Sequence, residues 1–237
     1  MNNMNIDRHI SQQFNSDLES LRTELMEMGV LVQQQVADAT NAIETADKEL
    51  AEKVIETESS VDTHEVDIDE HCTEILARRQ PAASDLRFVL AVSKVTRDLE
   101  RVGDEAKKVA LMALALFESG QAPRGYVELR HIATSVEEML HDSLDAFARY
   151  DVEKALQVAA ADKNVDREYA SALREMMTYM MEDPRSISRV MNIMWSLRAL
   201  ERIGDHARNI AEHVIYVVKG KDVRHVSIKD MAREMKG

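Results

Sequence analysis

A single cysteine, Cys72, leaves this chain without a partner for an internal disulfide. Its 237 residues are enough to bury a core of their own, so size does not demand covalent staples. Long hydrophobic runs are missing too. The longest, Val109 to Phe117, has nine residues, where a membrane-spanning helix takes roughly twenty. No apolar N-terminal stretch resembles a secretory signal. The chain is therefore expected in the cytoplasm, meeting membranes only through partners.

Three prolines and seven glycines supply few breakers, and four phenylalanines, five tyrosines and one tryptophan supply few strand formers. Positive charge is in deficit: 30 basic against 43 acidic side chains give a formal net charge of −13. Such a surface repels nucleic-acid phosphates and anionic headgroups, so direct nucleic-acid binding is not expected. A glycine-rich phosphate loop, a Walker lysine, a nucleophile elbow and HExxH are all lacking.

What is present is helical periodicity. Leu21, Leu25, Met28, Val32, Val36, Ala39 and Ile43 recur at helix spacing, as do Leu86, Val89, Leu90, Val92, Val95, Leu99, Val102 and Ala106. No segment holds a period of two. Start and stop signals divide the chain into about six helices, several near 30 residues long. Gln80-Pro81 stands before an expected N-cap at Ser84, Gly120 to Gly125 surround Pro123, Asp183-Pro184 reads as an N-cap and first-turn pair, and Gly220 closes the last helix. The second and fifth helices are expected to start near Asp47 and Asp151. The fold class is all-α.

The chain also repeats itself. LERVGD at 99–104 returns as LERIGD at 200–205, and a shift of 101 gives nine identities over residues 86–110. A shift of 104 lays Asp38, Asp47, Val54, Val61 and Asp62 on Asp142, Asp151, Val158, Val165 and Asp166. Matching residues keep their order and helical phase, which two tandem three-helix bundles explain better than chance does. The expected division is residues 1–120 for the first bundle, 126–219 for the second and 220–237 for a tail.

Each unit carries two acid-x-x-x-acid pairs: Glu58 with Asp62 and Glu100 with Asp104, then Asp162 with Asp166 and Glu201 with Asp205. A spacing of four places both acids of a pair on one helix face. Short connections make the second and third helices of a unit neighbours, so its two pairs can face each other. Two carboxylates about 5.5 Å apart repel by roughly 3 kcal/mol at an effective dielectric of 20, so converging acids require compensation. Hard or borderline cations such as Mg²⁺, Mn²⁺, Ca²⁺ or iron suit oxygen-only ligands, and zinc is less favoured without a Cys or His pair. Ion pairs to Arg97, Arg101, Arg198 and Arg202 are the metal-free alternative, and a solvated acidic face is the ordinary one. Gly103 and Gly204, mid-helix glycines, point to a close approach of another helix.

Other candidates carry less. Glu138-x-x-His141 has ferritin-like spacing but no second copy, and reads as an ordinary surface or cap pair. His206 replaces Glu105 beside the repeated motif, leaving a ligand role open. Cys72 reads as a small helix residue. Met176, Met177, Met180, Met181, Met191 and Met194 read as core filler, with an adaptable partner surface as the alternative.

The stretches HISQQFNSDLESLR, RRQPAASDLR, LERVGDEA, MLHDSLDAFARYD, VDREY, MMTYMMEDPRSI, LERIGDHARNIAEHVIYVVKG and DVRHV carry a resemblance to the PhoU family, from about Ile10 to His225. The resemblance implies a cytoplasmic, usually dimeric pair of three-helix bundles that acts by binding. It implies coupling between a phosphate ABC transporter, through its ATPase subunit, and a phosphate sensor histidine kinase. In that role such a protein represses the phosphate-starvation response and modulates uptake when phosphate is plentiful. It also implies metal ions, Mg, Mn, Fe or Zn, on E/DxxxD motifs, here Glu58, Asp62, Glu100, Asp104, Asp162, Asp166, Glu201 and Asp205. No catalytic residues are expected. The competing reading is a metal-dependent hydrolase or oxidase, in which a carboxylate-bridged metal pair activates water or, as iron, binds oxygen.

Overall fold

The computed structural model describes residues 12–119, 127–223 and 226. Among the described residues there are six α-helices: α1 (Gln12–Thr45), α2 (Lys48–Arg79), α3 (Ala83–Glu118), α4 (Val127–Arg149), α5 (Val152–Glu182) and α6 (Ile187–Lys219). A one-turn 3-10 segment, Pro184–Ser186, precedes α6, and the described residues contain no strand. The all-α expectation and the count of six helices hold. The glycines and proline of 120–125, and most of the proposed tail, lie outside the described residues.

Helices α1, α2 and α3 pack on one another as one three-helix bundle, and α4, α5 and α6 as a second. The repeat is visible in the turns. Ala46 (φ 56°) and Tyr150 (φ 55°) both take the left-handed conformation, and each is followed by an aspartate that caps the next helix. Asp47 accepts from the Leu50 amide at 3.0 Å, and Asp151 from the Glu153 and Lys154 amides at 3.0 Å. These carboxylates satisfy amides that the first helical turn cannot pair. Asp183 caps the 3-10 turn through the Arg185 amide at 3.0 Å. Ser84 does not cap α3: the N-cap position is Ala82, two residues earlier, with no side-chain cap.

The two bundles share one hydrophobic core, with α3 against α6 as the most extensive helix contact and α1 against α4 beside it. Polar contacts show that α3 and α6 run antiparallel. Arg87 near the start of α3 donates to the Val217 carbonyl at 3.4 Å, Asp98 meets His206, and Glu105 meets Arg202. Every apolar residue of the α1 stripe is buried, whereas Leu86 and Leu90 of the α3 stripe are exposed. Of the methionines, Met176 is buried and Met180 and Met194 are packed on the core. Met177, Met181 and Met191 are exposed, so only part of this group is core filler. On α6, Ile187, Met191 and Trp195 form an exposed stripe at four-residue spacing, with Trp195 58% exposed.

A candidate metal centre between α2 and α3

Packing of α2 along α3 sets the acids of the first repeat at one helix interface. Glu58 is 4% exposed, Glu100 and Asp104 are half-buried, and Asp62 is exposed. Reaching in from α1, the buried Gln35 amide donates to Glu58 Oε2 at 2.8 Å and to the Val54 carbonyl at 3.3 Å. The remaining oxygens, Glu58 Oε1 and Gln35 Oε1, are buried without a hydrogen-bond partner.

Gly103 is what lets α3 settle on this pair. A Cβ there would lie 3.0 Å from Gln35 Oε1, 3.3 Å from the Val61 side chain and 3.4 Å from Glu58 Oε2. The close approach expected at Gly204 is not found, because its nearest neighbour, Val136, would stay 3.6 Å from a Cβ. Helix propensity then decides. Gly204→Ala is expected to raise stability by about 0.5–1 kcal/mol, and Gly103→Ala to return less, as a difference in thermal midpoint would show.

Burial and mutual repulsion outweigh the attraction of Lys107 for Glu58 and of Arg101 for Glu100 in the first set. Burial lifts the Glu58 carboxyl above its ordinary value against the Gln35 hydrogen bond, and Asp104 and Asp62 add to the rise. Burial likewise lifts Glu100, with Asp104, Glu65 and Glu58 repelling it. Glu65, one further turn along α2, is raised by burial and by Asp69, while Arg97 and Arg101 pull it down. Glu65 therefore belongs to this group, although no motif marked it. None of Glu58, Asp62, Glu100 and Asp104 has a lysine, arginine or histidine of the described residues within ion-pair reach.

In the second repeat the same positions are met differently. Asp162 accepts from Arg208 at 3.0 Å, and Arg208 also donates to Glu212 at 3.0 Å. Glu201 accepts from Arg198 at 2.8 Å, and that guanidinium sits 5.9 Å from the Tyr169 ring centroid. Asp166 and Asp205 are exposed. The four arginines singled out by spacing thus divide. Arg198 does neutralise an acid of the motif, Arg202 pairs instead with Glu105 at 2.8 Å, and Arg97 and Arg101 form no ion pair with the motif acids.

Among the described residues no three His, Cys, Asp or Glu side chains are grouped to hold one metal ion. The acids stand on facing helices without closing into a cage. The donor chemistry of the first set nevertheless suits a hard cation, with oxygens alone, two of them buried and unpartnered, and no ion-pair partner in place, and Glu201 Oε2 of the second set is likewise buried without a partner.

A second polar cluster lies in the seam between the bundles and was not visible in the motifs. Asp98 of α3 meets His206 Nδ1 at 2.8 Å, accepts from Asn209 at 3.1 Å on the same oxygen, and meets His213 Nε2 at 3.4 Å on the other. Burial acts to raise the Asp98 carboxyl, but the hydrogen bonds from His206, His213 and Asn209 bring it down to about 2. His206 is thus committed to Asp98, which explains its departure from the repeat. Cys72 is buried, with its thiol pushed up to about 12 by burial, as befits a packing residue. His141 is exposed and lies 3.4 Å from Gln33, and Glu138 is also exposed.

Known proteins align with this arrangement over the whole chain. The PhoU domain matches residues 25–113 and again 129–214. The chain is 58% identical over 235 residues to the Pseudomonas aeruginosa "Phosphate-specific transport system accessory protein PhoU homolog", covering 99% of this chain and 97% of that one. It is 46% identical over 237 residues to the Escherichia coli "Phosphate-specific transport system accessory protein PhoU", covering 100% of this chain and 98% of that one. The crystal structure of PhoU from Pseudomonas aeruginosa superposes with a TM-score of 0.86 at 60% identity, over 88% of this chain and 100% of that chain. That of the "phosphate transport system regulatory protein PhoU" from Streptococcus pneumoniae gives 0.82 at 30% identity, over 89% and 99%.

Proposed function

This chain belongs to the PhoU family, and from that premise we propose that it is a non-enzymatic accessory protein of a phosphate-specific transport system. In this reading it couples the phosphate ABC transporter, through the ATPase subunit, to the phosphate sensor histidine kinase. It represses the phosphate-starvation response and moderates uptake when phosphate is plentiful. It works in the cytoplasm as a homodimer, and no described helix is long and apolar enough to cross a membrane. The observation that carries the proposal is full-length similarity to relatives named as accessory proteins of phosphate transport. The exposed stripe Ile187, Met191 and Trp195 supports a role in binding, since large apolar side chains in a row on a surface favour protein partners.

The acid motifs are the proposed metal positions. Glu58, Asp62, Glu100 and Asp104, with counterparts Asp162, Asp166, Glu201 and Asp205, are assigned to Mg, Mn, Fe or Zn ions. A bound cation supplies positive charge, and the carboxylates of α2 and α3 would then hold two helices to one centre. Gln35 holds Glu58 in place from α1.

Restoring this gene to a strain that lacks its own PhoU tests the proposal. Phosphate-starvation genes are expected to fall silent in rich phosphate and to respond again on starvation. Expression that stays high in rich phosphate, with the protein present and folded, would contradict it.

A further inference from the structure

We infer that the outer face where α5 meets α6 is a docking groove for an amphipathic helix of a protein partner, one whose apolar side chains are flanked by carboxylates. The inference rests on the reading of this chain as a protein that works by binding, and it names the face and the chemistry of what binds there.

Helices α5 and α6 pack on each other and are joined by the short turn at 183–186. Arg198 lies 5.9 Å from the Tyr169 ring centroid, so these two residues mark the flanks that face each other. Met177 and Met181 continue the Tyr169 flank along α5, while Trp195, Met191 and Ile187 continue the Arg198 flank back along α6. All five are exposed, Met181 by 76%. Below them Met176 is buried, and Met180 and Met194 pack on the core. A row of this kind, open between two helices, is what an amphipathic helix covers with its apolar face. Methionine adapts to the partner's shape, and tryptophan anchors it.

Charge selects the partner. Arg174 of α5 and Arg185 of the turn are exposed beside this row and form no ion pair among the described residues. The acids at this end are placed elsewhere. Glu175 and Glu182 share another flank of α5 with Tyr179, whose hydroxyl donates to Glu175 at 2.6 Å, and Asp183 accepts from the Arg185 amide at 3.0 Å. A second copy of the chain would offer these arginines only the same arginines, and a formal net charge of −13 keeps anionic headgroups away. Carboxylates flanking a partner's apolar face supply the missing counter-charge. The first repeat has no such face. A shift of 104 lays Glu70, Thr73 and Ala77 on Arg174, Met177 and Met181, and a shift of 101 lays Lys94 on Trp195. Glu65, Asp69, Glu70 and Glu74 line the surface there, so the second repeat has exchanged acids and small side chains for arginine and large apolar ones.

Trp195 is the chain's one tryptophan, so its emission reports on this face. The full chain is titrated with a synthetic helical peptide that carries leucine and methionine on one face and glutamate on both flanks, and with a twin carrying lysine on the flanks. The glutamate peptide is expected to shift Trp195 emission to shorter wavelength saturably, and to bind at least ~10-fold more tightly than the twin. Met181→Glu is expected to weaken it by at least ~10-fold, and Leu90→Glu, at the position of the first repeat that matches Met191, to leave it unchanged. No shift with either peptide, equal binding of both, or binding that survives Met181→Glu would overturn the inference. So would emission of the free protein that moves to shorter wavelength as protein concentration rises, which would show a second copy on this face. In the strain lacking its own PhoU, Met181→Glu with Trp195→Glu is expected to lose repression while present at the wild-type level. Repression equal to that of wild type would overturn the inference and leave the proposed function standing. Wild type that fails to repress would remove the proposed function, and the peptide titration would still decide the docking face.

Discussion

Asp98→Ala is expected to lower the unfolding free energy by about 3–5 kcal/mol, the range for removing one partner from a buried charged pair. The carboxylate receives three side chains from α6: His206 at 2.8 Å, Asn209 at 3.1 Å and His213 at 3.4 Å. All belong to the seam that joins the bundles, and His206 and His213 are themselves buried. Truncation leaves those donors facing a methyl group, and each unmet buried donor costs about 1–3 kcal/mol. Asp98→Asn keeps the shape and is expected to cost less. Urea unfolding measures both, and a loss below ~1 kcal/mol in Asp98→Ala would refute the clamp.

The pH dependence follows from the sign of the shift. Asp98 is held at about 2 against an ordinary 3.8, so the folded protein binds fewer protons there than the unfolded chain. Its contribution is complete above the ordinary value and fades as pH falls through about 2. The same acid titration of Asp98→Ala is expected to be flatter over that window.

Phe147→Ala is expected to cost a similar amount, about 3–5 kcal/mol, by deleting a large buried ring. Phe147 of α4 is 1% exposed and stacks on Phe88 of α3, with ring centroids 6.4 Å apart. Phe88 also meets the Tyr150 ring edge-on at 6.5 Å, and Arg22 of α1 lies 5.2 Å from the Tyr150 centroid. Arg22 donates to the Ala148 carbonyl as well. This nest draws on both bundles, and the hydrophobic core is continuous between them. One cooperative transition, shifted as a whole, is therefore expected in thermal unfolding of Phe147→Ala. Two separated transitions would show that the bundles stand apart.

Much of this was legible in the sequence because helices write their geometry locally. Asp47 and Asp151 announced two helix starts by being the residue type that caps them, and the α1 stripe from Leu21 to Ile43 is buried throughout. The repeated LERVGD and LERIGD marked the helices that meet across the seam. What escaped are relations between helices. Leu86 and Leu90 have core spacing yet lie exposed, because periodicity gives a face and not the neighbour that covers it. Asp98 carries no motif, since its partners lie more than a hundred residues away. Gln35, Glu65, Arg208 and Glu212 lie outside the motif that the repeats share. Their signal is where the repeats disagree: Gln35 against Met139, Glu65 against Tyr169, Lys107 against Arg208 and Leu111 against Glu212.

Crystals of the full chain grown with Mn²⁺, measured for anomalous scattering at the manganese edge, would test the central claim most directly. The account predicts anomalous peaks at the acid motifs, beside the α2 and α3 carboxylates Glu58 and Glu100 or their counterparts Asp162 and Glu201. Crystals grown with Mn²⁺ that show no anomalous peak at any of these acids would contradict it.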